Sequence, residues 1–252
     1  MEAVADLHKL VWSSDDRDMV PGHVLIAIQH AGGLVLGAFD ETQLVGFAVG
    51  FLGRRDGQWL LWSHEAGVHP AYQGRGIGAK LKWLQREHML ADGLECIAWT
   101  FDPLQAGNAK FNIHYLGCTV NIYHENAYGV MQDQLNAGLP SDRFEAHWWL
   151  KRERVITRMK QPPEPVPVDG MHHTLAGIEG VPQVSLPDGQ PRTLVEIPSD
   201  ITHLKCTQPE VALAWRMATR KAFNSLFGMG YTVTEFQRDQ NGRPCYLLEL
   251  GV

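Results

Sequence analysis

Val68 to Ala79 reads VHPAYQGRGIGA, and the fold turns on how its second half, Gln73-Gly74-Arg75-Gly76-Ile77-Gly78, is interpreted. An apolar stretch, Trp59 to Val68 (WLLWSHEAGV), precedes the loop, and an amphipathic helical pattern follows it from Gly78 to Ala91. Gly74, Gly76 and Gly78 carry no Cβ, so a turn built on them reaches dihedrals that other residues avoid and aims successive backbone N–H groups at one point. The dipole of the following helix adds positive potential at the same place. A strand, a glycine loop and a helix in that order make an anion cradle suited to a pyrophosphate. Arg75 adds a solvent-screened positive charge.

Two other glycine loops do not fit. The dinucleotide fingerprint requires G-x-G-x-x-G, whereas the glycines here run G-x-G-x-G. The phosphate loop of nucleotide hydrolases needs Gly-Lys followed by Ser or Thr, and this chain has Ala79, Lys80 and Leu81 there. On the loop alone, a tight turn that binds nothing is the remaining alternative.

With its flanks, the loop resembles the GNAT superfamily of N-acetyltransferases, whose cofactor motif is Q/R-x-x-G-x-G/A between a strand and a helix. More specifically, the chain is similar to a poorly characterised branch. That likeness is carried by Ser63-His64, Gln85-Arg86, Trp99 to Leu104 (WTFDPL), Asn108 to Asn112 (NAKFN) and Leu139 to Arg143 (LPSDR). The resemblance implies an α/β (α+β) fold, a mixed twisted sheet flanked by helices, and acetyl-CoA or another acyl-CoA as co-substrate. Backbone groups of Gln73, Gly74, Arg75, Gly76, Ile77, Gly78 and Ala79 would then hold the pyrophosphate, and Val68 would offer its N–H to the thioester oxygen. The strand ending at Val68 would splay from its neighbour to admit the pantetheine arm, which Asn108 would contact.

The catalytic groups are less determined. Glu65 and His64 lie on the strand before a bulge-like Ala66-Gly67 pair, and strand alternation sends them to opposite faces. Whichever faces the cleft would serve as general base, the carboxylate directly or through water, or the imidazole with its near-neutral titration. Many members of the superfamily place a Tyr four residues before the glycine that ends the pantetheine helix, but Ile113 holds that position. Tyr115, His114 or water is left to protonate the departing thiolate. Asp102 and Arg143 form a charged pair that either orients a carboxylate-bearing substrate or ties loops together, the second being favoured.

The rest of the chain bounds this reading. Its 252 residues, 44% apolar, are enough for one large domain or one and a half. Helices are expected at Glu2 to Val11 and Pro21 to His30, and strands at Leu34 to Phe39, Leu44 to Leu52, Leu94 to Phe101, Thr119 to Tyr123 and Arg143 to Lys151. Leu81, Leu84, His88 and Met89 would share one face of the loop helix, capped at Gly93. The expected layout is an acyl-CoA-binding domain over 1–158, a Pro- and Gly-rich irregular connector over 159–191, and an extension over 192–252. The extension reads as strand, helix and hairpin around Asn241-Gly242, an order like half of a GNAT fold. Such a short piece would dock on the main domain or on a second copy of the chain.

Formal charge is −6, which gives no general attraction to nucleic acid. Lys151, Arg152 and Arg154 read as a solvated strand end. No apolar run reaches the roughly 20 residues of a membrane span and no signal segment opens the chain, so the expected location is the cytoplasm. The four cysteines lack C-x-x-C spacing and are expected as reduced thiols. His172-His173 has no evident third ligand, and no metal is expected. The sequence therefore reads as a direct acyltransferase acting on an amine, with a small-molecule acceptor favoured by the acidic chain. The alternative is an acyl-CoA-binding regulator or scaffold that has lost the chemistry.

Overall fold

A computed structural model describes residues 2–12, 20–131, 137–161 and 163–252. They fall into two compact units. The first runs to Trp99 and takes in Trp149–Arg152; the second holds the other described residues.

In the first unit, α1 (Glu2–Trp12) and α2 (Gly22–His30) precede an antiparallel meander of β1 (Leu34–Asp40), β2 (Gln43–Arg55) and β3 (Gln58–Val68). Asp56 and Gly57 join β2 to β3 at positive φ (48° and 80°), the conformation a two-residue hairpin turn demands and the one Asp-Gly adopts most easily. Helix α3 (Ile77–Ala91) then crosses to β4 (Cys96–Phe101), which lies parallel to β3. Gly93 ends α3 at φ 79° while the Leu94 N–H reaches back to the Met89 carbonyl at 2.8 Å, as expected of a glycine C-cap.

Alternation along β2 assigns the helices to the two faces of the sheet. Phe47 and Val49 pack with Leu7, Leu25 and Leu44 beneath α1 and α2. A fully buried phenylalanine such as Phe47 contributes roughly 2–3 kcal/mol by transfer alone. Gly46 faces the other way, where a Cβ would stand 2.9 Å from Ile77 and 3.3 Å from Leu81, so the missing side chain is what lets α3 lie against the strand. The buried stripe of α3 is Leu81, Lys82, Gln85, Arg86 and Met89, while the expected Leu84 and His88 point to solvent. Polar residues displaced the apolar count because each finds a partner. Arg86, for instance, donates through Nε and Nη2 to the Leu150 carbonyl at 2.9 and 2.7 Å.

The second unit contains α4 (Ala106–Ala109), a π-helical turn over Lys110–Tyr115, β5 (Thr119–His124), β6 (Arg143–Trp149), α5 (Glu153–Lys160), β7 (His173–Ile178), β8 (Val181–Val184), β9 (Arg192–Glu196), α6 (Ile201–Thr207), α7 (Pro209–Gly228), β10 (Tyr231–Arg238) and β11 (Pro244–Leu250). Its strands run in the order β6-β5-β10-β11-β9-β7-β8, all antiparallel neighbours except β7 and β9. Phe144, Phe223 and Tyr246 meet edge to face at 4.5 to 5.4 Å and centre its core, with Trp215 also buried on α7.

Both units are mixed sheets with helices, the class expected. The boundary between them does not coincide with the expected ones at 158 and 192. The span read as irregular connector contains the β7–β8 hairpin, closed by Glu179 and Gly180 at φ 51° and 82°. A two-residue loop at positive φ matches the twist of paired strands, so a short hairpin forms within a Pro- and Gly-rich stretch. Among the described residues no helix is long and apolar enough to cross a membrane.

Candidate functional site

The glycine loop follows β3 through a 3₁₀ turn at Pro70–Tyr72, where His69 Nδ1 accepts from the Ala71 N–H at 3.1 Å. Gly74 and Gly76 sit at φ 75° and 77°, and Gly76 is the N-cap of α3. An L side chain at either would be strained, whereas a Cβ there meets nothing within 4 Å. The glycines are therefore required by backbone conformation and leave the space beside the loop open. Gly78 is different, having an ordinary helical φ with only Val68 3.7 Å from a built Cβ. The opening N–H groups of α3 have no acceptor within the helix, so they face outward as donors. Arg75 Nη2 donates to the Ala71 carbonyl at 3.0 Å and its guanidinium lies 4.8 Å from the Tyr72 ring centre. Tyr72 in turn donates to Asp40 at 2.8 Å, a bond that, with burial, raises the phenol above its usual range. Gln73 Nε2 holds the Val68 carbonyl at 3.2 Å, tying the loop to the strand.

Strand β3 supplies the rest of this surface. The His69 N–H donates to the Val45 carbonyl at 2.9 Å, which makes Val45 and His69 a hydrogen-bonded pair. Val68 opposite Gly46, and Ala66 opposite Ala48, are then the alternating non-bonded pairs, and their N–H groups point away from β2. On that side β4 pairs with β3 at Leu61↔Ile97 and Trp62↔Ala98, leaving Glu65–Val68 beyond the last registered pair.

The bulge lies at His64, not at Ala66-Gly67. Val49 opposes Glu65 and Gly50 opposes Ser63, so His64 is the extra residue. Alternation is reset across it, and the expectation that His64 and Glu65 occupy opposite faces is corrected: His64 Nε2 stands 3.5 Å from Glu65 Oε1. The same oxygen lies 3.5 Å from Nε2 of His8 on α1. Ser63 turns to the α3 face, where Lys82 Nζ donates to its hydroxyl at 2.7 Å and also sits 3.8 Å from the Trp99 ring centre. His8 was missed by sequence reasoning. The available signal was a histidine on the apolar stripe Val4, Leu7, Val11, Trp12 of a short helix.

The remaining predicted residues belong to the second unit. Asn108 is exposed on α4. Tyr115 is exposed at the end of the π-helical turn, with Lys110 Nζ 5.5 Å from its ring centre. Ile113 is fully buried, and His114 Nδ1 lies 3.0 Å from Glu235 Oε1. The supposed Asp102–Arg143 pair is corrected. Asp102 Oδ2 accepts from Arg216 Nη2 at 2.6 Å, while Arg143 donates to the Asp142 carbonyl at 2.9 Å and lies over Tyr128. The true arginine partner of Asp102 comes from α7, 114 residues away in sequence, beyond reach of local spacing. Arg154 is likewise no solvated strand end. It belongs to α5 and donates to the Thr234 carbonyl, and burial, aided by Arg158, pushes its guanidinium down to about 10.

His172 Nε2 is bonded with the Ser185 carbonyl at 2.8 Å, but His173 has neighbours the sequence did not reveal: donor atoms of His173, Asp239 and Cys245 lie within 4.8 Å of one another. Asp239 already accepts four hydrogen bonds, from the Asn241 and Arg243 N–H groups and the Arg243 guanidinium, and burial pushes the Cys245 thiol up to about 12. A guanidinium on the carboxylate and a thiol held in its protonated form both oppose a cation there.

Residues 2–111 match the model of the acetyltransferase (GNAT) family. Among solved structures, the chain is similar to aminoglycoside 6'-acetyltransferase type Ii (18% identity, 60% of this chain and 90% of that one, TM-score 0.47). It is also similar to the ribosomal-protein-S18-alanine N-acetyltransferase of Escherichia coli (14%, 60% and 89%, TM-score 0.44). A third is a GNAT family acetyltransferase of Elizabethkingia anophelis with acetyl-CoA bound (14%, 57% and 89%, TM-score 0.43). No curated protein matches the chain in sequence.

Proposed function

Since residues 2–111 match the model of the acetyltransferase (GNAT) family, we propose that the chain transfers an acetyl group from acetyl-CoA directly to the amine of a small-molecule acceptor. The observation that carries this reading is the pair of left-handed glycines, Gly74 and Gly76, opening α3 beside a strand whose Ala66 and Val68 N–H groups are turned outward. Backbone N–H groups from Gly74 to Ala79 hold the pyrophosphate of the co-substrate, with Gln73 and Arg75 bracing the loop. The Val68 N–H meets the thioester oxygen and stabilises the charge that develops on it. Glu65, on the same strand and partly exposed, removes the proton of the attacking amine, alone or with His64. Holding amine and thioester together supplies much of the acceleration, and no covalent enzyme intermediate is required.

The test has two stages. Acetyl-CoA and free CoA are titrated calorimetrically into wild type and Gly76→Glu, which places a carboxylate beside the pyrophosphate cradle. Saturable binding that the variant loses supports the reading, and absence of binding by wild type overturns it. Thiol release is then followed over a panel of primary amines. A binder that turns over none of them, with Glu65→Gln indistinguishable from wild type, is the acyl-CoA-binding regulator instead.

A further inference from the structure

Glu65 Oε1 is flanked by two imidazole Nε2 atoms at the same distance, 3.5 Å, but the two histidines live in unlike surroundings. His8 comes from the underside of α1, its side chain 8% exposed, wedged beside Trp12 with ring centres 4.6 Å apart. Trp12 in turn packs edge-on to Phe47, and a Cβ on Gly67 would stand 3.0 Å from its ring. His8 is thus fixed by the core. His64 is the extra residue of the β3 bulge, lies 5.8 Å from the Phe51 ring and is 43% exposed at its side chain. Among the described residues, the groups facing the Glu65 carboxylate are His8 from α1, His64 from β3 and the apolar Val49 opposite it on β2.

We propose that Glu65 is a base with two histidine partners of different function: His8 is a positioning residue that orients the carboxylate from the buried side, and His64 relays the abstracted proton to solvent. The inference rests on the acetyltransfer reading. In the reaction an acceptor ammonium gives one proton to Glu65, and its freed lone pair attacks the thioester carbon. The C–N bond forms and the C–S bond breaks with its electron pair leaving on sulfur. The proton still carried by the new C–N nitrogen ends on the thiolate. One proton per turnover therefore remains on Glu65 and has to leave before the next cycle. The exposed imidazole in contact with that carboxylate is the route out, since a side chain that titrates near neutral pH both accepts and releases it readily. The bulge is what makes this possible: a regular strand would send residues 64 and 65 to opposite faces.

The first experiment needs no acceptor. Imidazole resonances of the full chain are recorded by NMR in wild type and in Glu65→Gln. Removing the carboxylate that lies 3.5 Å from both rings is expected to displace the side-chain resonances of both His8 and His64. If either set stays in place, the pairing is wrong. The second uses the primary amine that gives turnover in the thiol-release panel, with acetyl-CoA binding measured in parallel. His64→Gln is expected to lower kcat about tenfold at unchanged KM for acetyl-CoA, and added imidazole to restore it through the solvent-facing gap. His8→Asn is expected to lower kcat without rescue. Wild-type kcat in both variants, or no response of His64→Gln to imidazole, overturns the relay. Loss of acetyl-CoA binding by wild type would overturn the acetyltransfer reading while leaving the NMR result to judge the triad by itself.

Discussion

Carboxylates are held in two opposite ways in this molecule. In the second unit Asp102 and Asp142 are gripped by arginines of α7. Arg216 meets Asp102 at 2.6 Å, and Arg220 donates through Nε and Nη2 to both oxygens of Asp142 at 2.9 and 2.7 Å. In the first unit, among the described residues, the ionisable groups beside the Glu65 carboxylate are two imidazoles at 3.5 Å, beyond good hydrogen-bond length. A guanidinium never gives up its charge at ordinary pH, so its partner stays ionised and fixed. An imidazole titrates, so its partner stays able to take and pass a proton. Sequence alone shows acids and bases in both regions; the proposed division between holding and chemistry follows the kind of cation in contact.

The largest expected effect breaks the gripped side. Arg216→Met removes a fully buried cation and leaves Asp102, itself mostly buried, with the Leu104 N–H at 2.8 Å but without its arginine. The expected cost is about 3–5 kcal/mol in chemical denaturation, because the stranded carboxylate keeps its desolvation penalty. A loss below about 1 kcal/mol would show that water or backbone groups satisfy Asp102 and that the pair is not structural. Glu65→Gln is the matching change on the other side. It should lower turnover by about 10²–10⁴-fold, the range of general acid–base catalysis, with melting temperature nearly unchanged. A variant that unfolds instead would place Glu65 with the structural carboxylates.

Protonation sharpens the comparison by a smaller effect. Burial pushes the Asp142 carboxyl up, but hydrogen bonds from Arg220, Tyr123 and the Asn126 N–H outweigh it and hold the group below the usual carboxylate range. A carboxyl whose folded-state affinity for protons is depressed stabilises the fold above the unfolded value, about pH 4, and that stabilisation is lost as pH falls toward the folded value. Denaturant midpoints measured from pH 6 to pH 2 should therefore fall less steeply for Asp142→Asn than for wild type. Parallel curves would mean that Asp142 has no special proton affinity in the fold.

These contrasts also mark what the sequence disclosed. The loop, both flanking elements and the C-terminal helix and hairpin followed from local signals: glycines at required positive φ, a C-cap at Gly93, Asn241-Gly242 between two apolar runs. What stayed hidden is nonlocal. The partners of Asp102 and Asp142 lie on α7, and His8 reaches Glu65 from a helix 57 positions earlier in the chain. The bulge at His64 has no signature in Ser-His-Glu-Ala, since it arises from a one-residue difference in register against β2. A single inserted position brought the two candidate bases together on one side of the strand, which pattern reading along one strand does not detect.

The smallest effect separates holding from chemistry within the loop itself. Gly76 and Gly78 are two residues apart and serve different needs. Gly76→Ala puts a Cβ on a left-handed backbone and should cost about 1–2 kcal/mol whatever the loop binds. Gly78 already has helical dihedrals, and its Cβ would meet only Val68 at 3.7 Å. Gly78→Ala should accordingly leave stability unchanged or raise it by about 0.5–1 kcal/mol, as alanine does for glycine inside a helix. If the backbone there lies against a pyrophosphate, the same methyl group intrudes on the ligand, and acetyl-CoA affinity measured calorimetrically should fall while melting temperature does not. A variant that is both more stable and equally tight would show that the third glycine is tolerated by the fold and unused by the ligand, and would restrict the cradle to the N–H groups of Gly74 through Ile77.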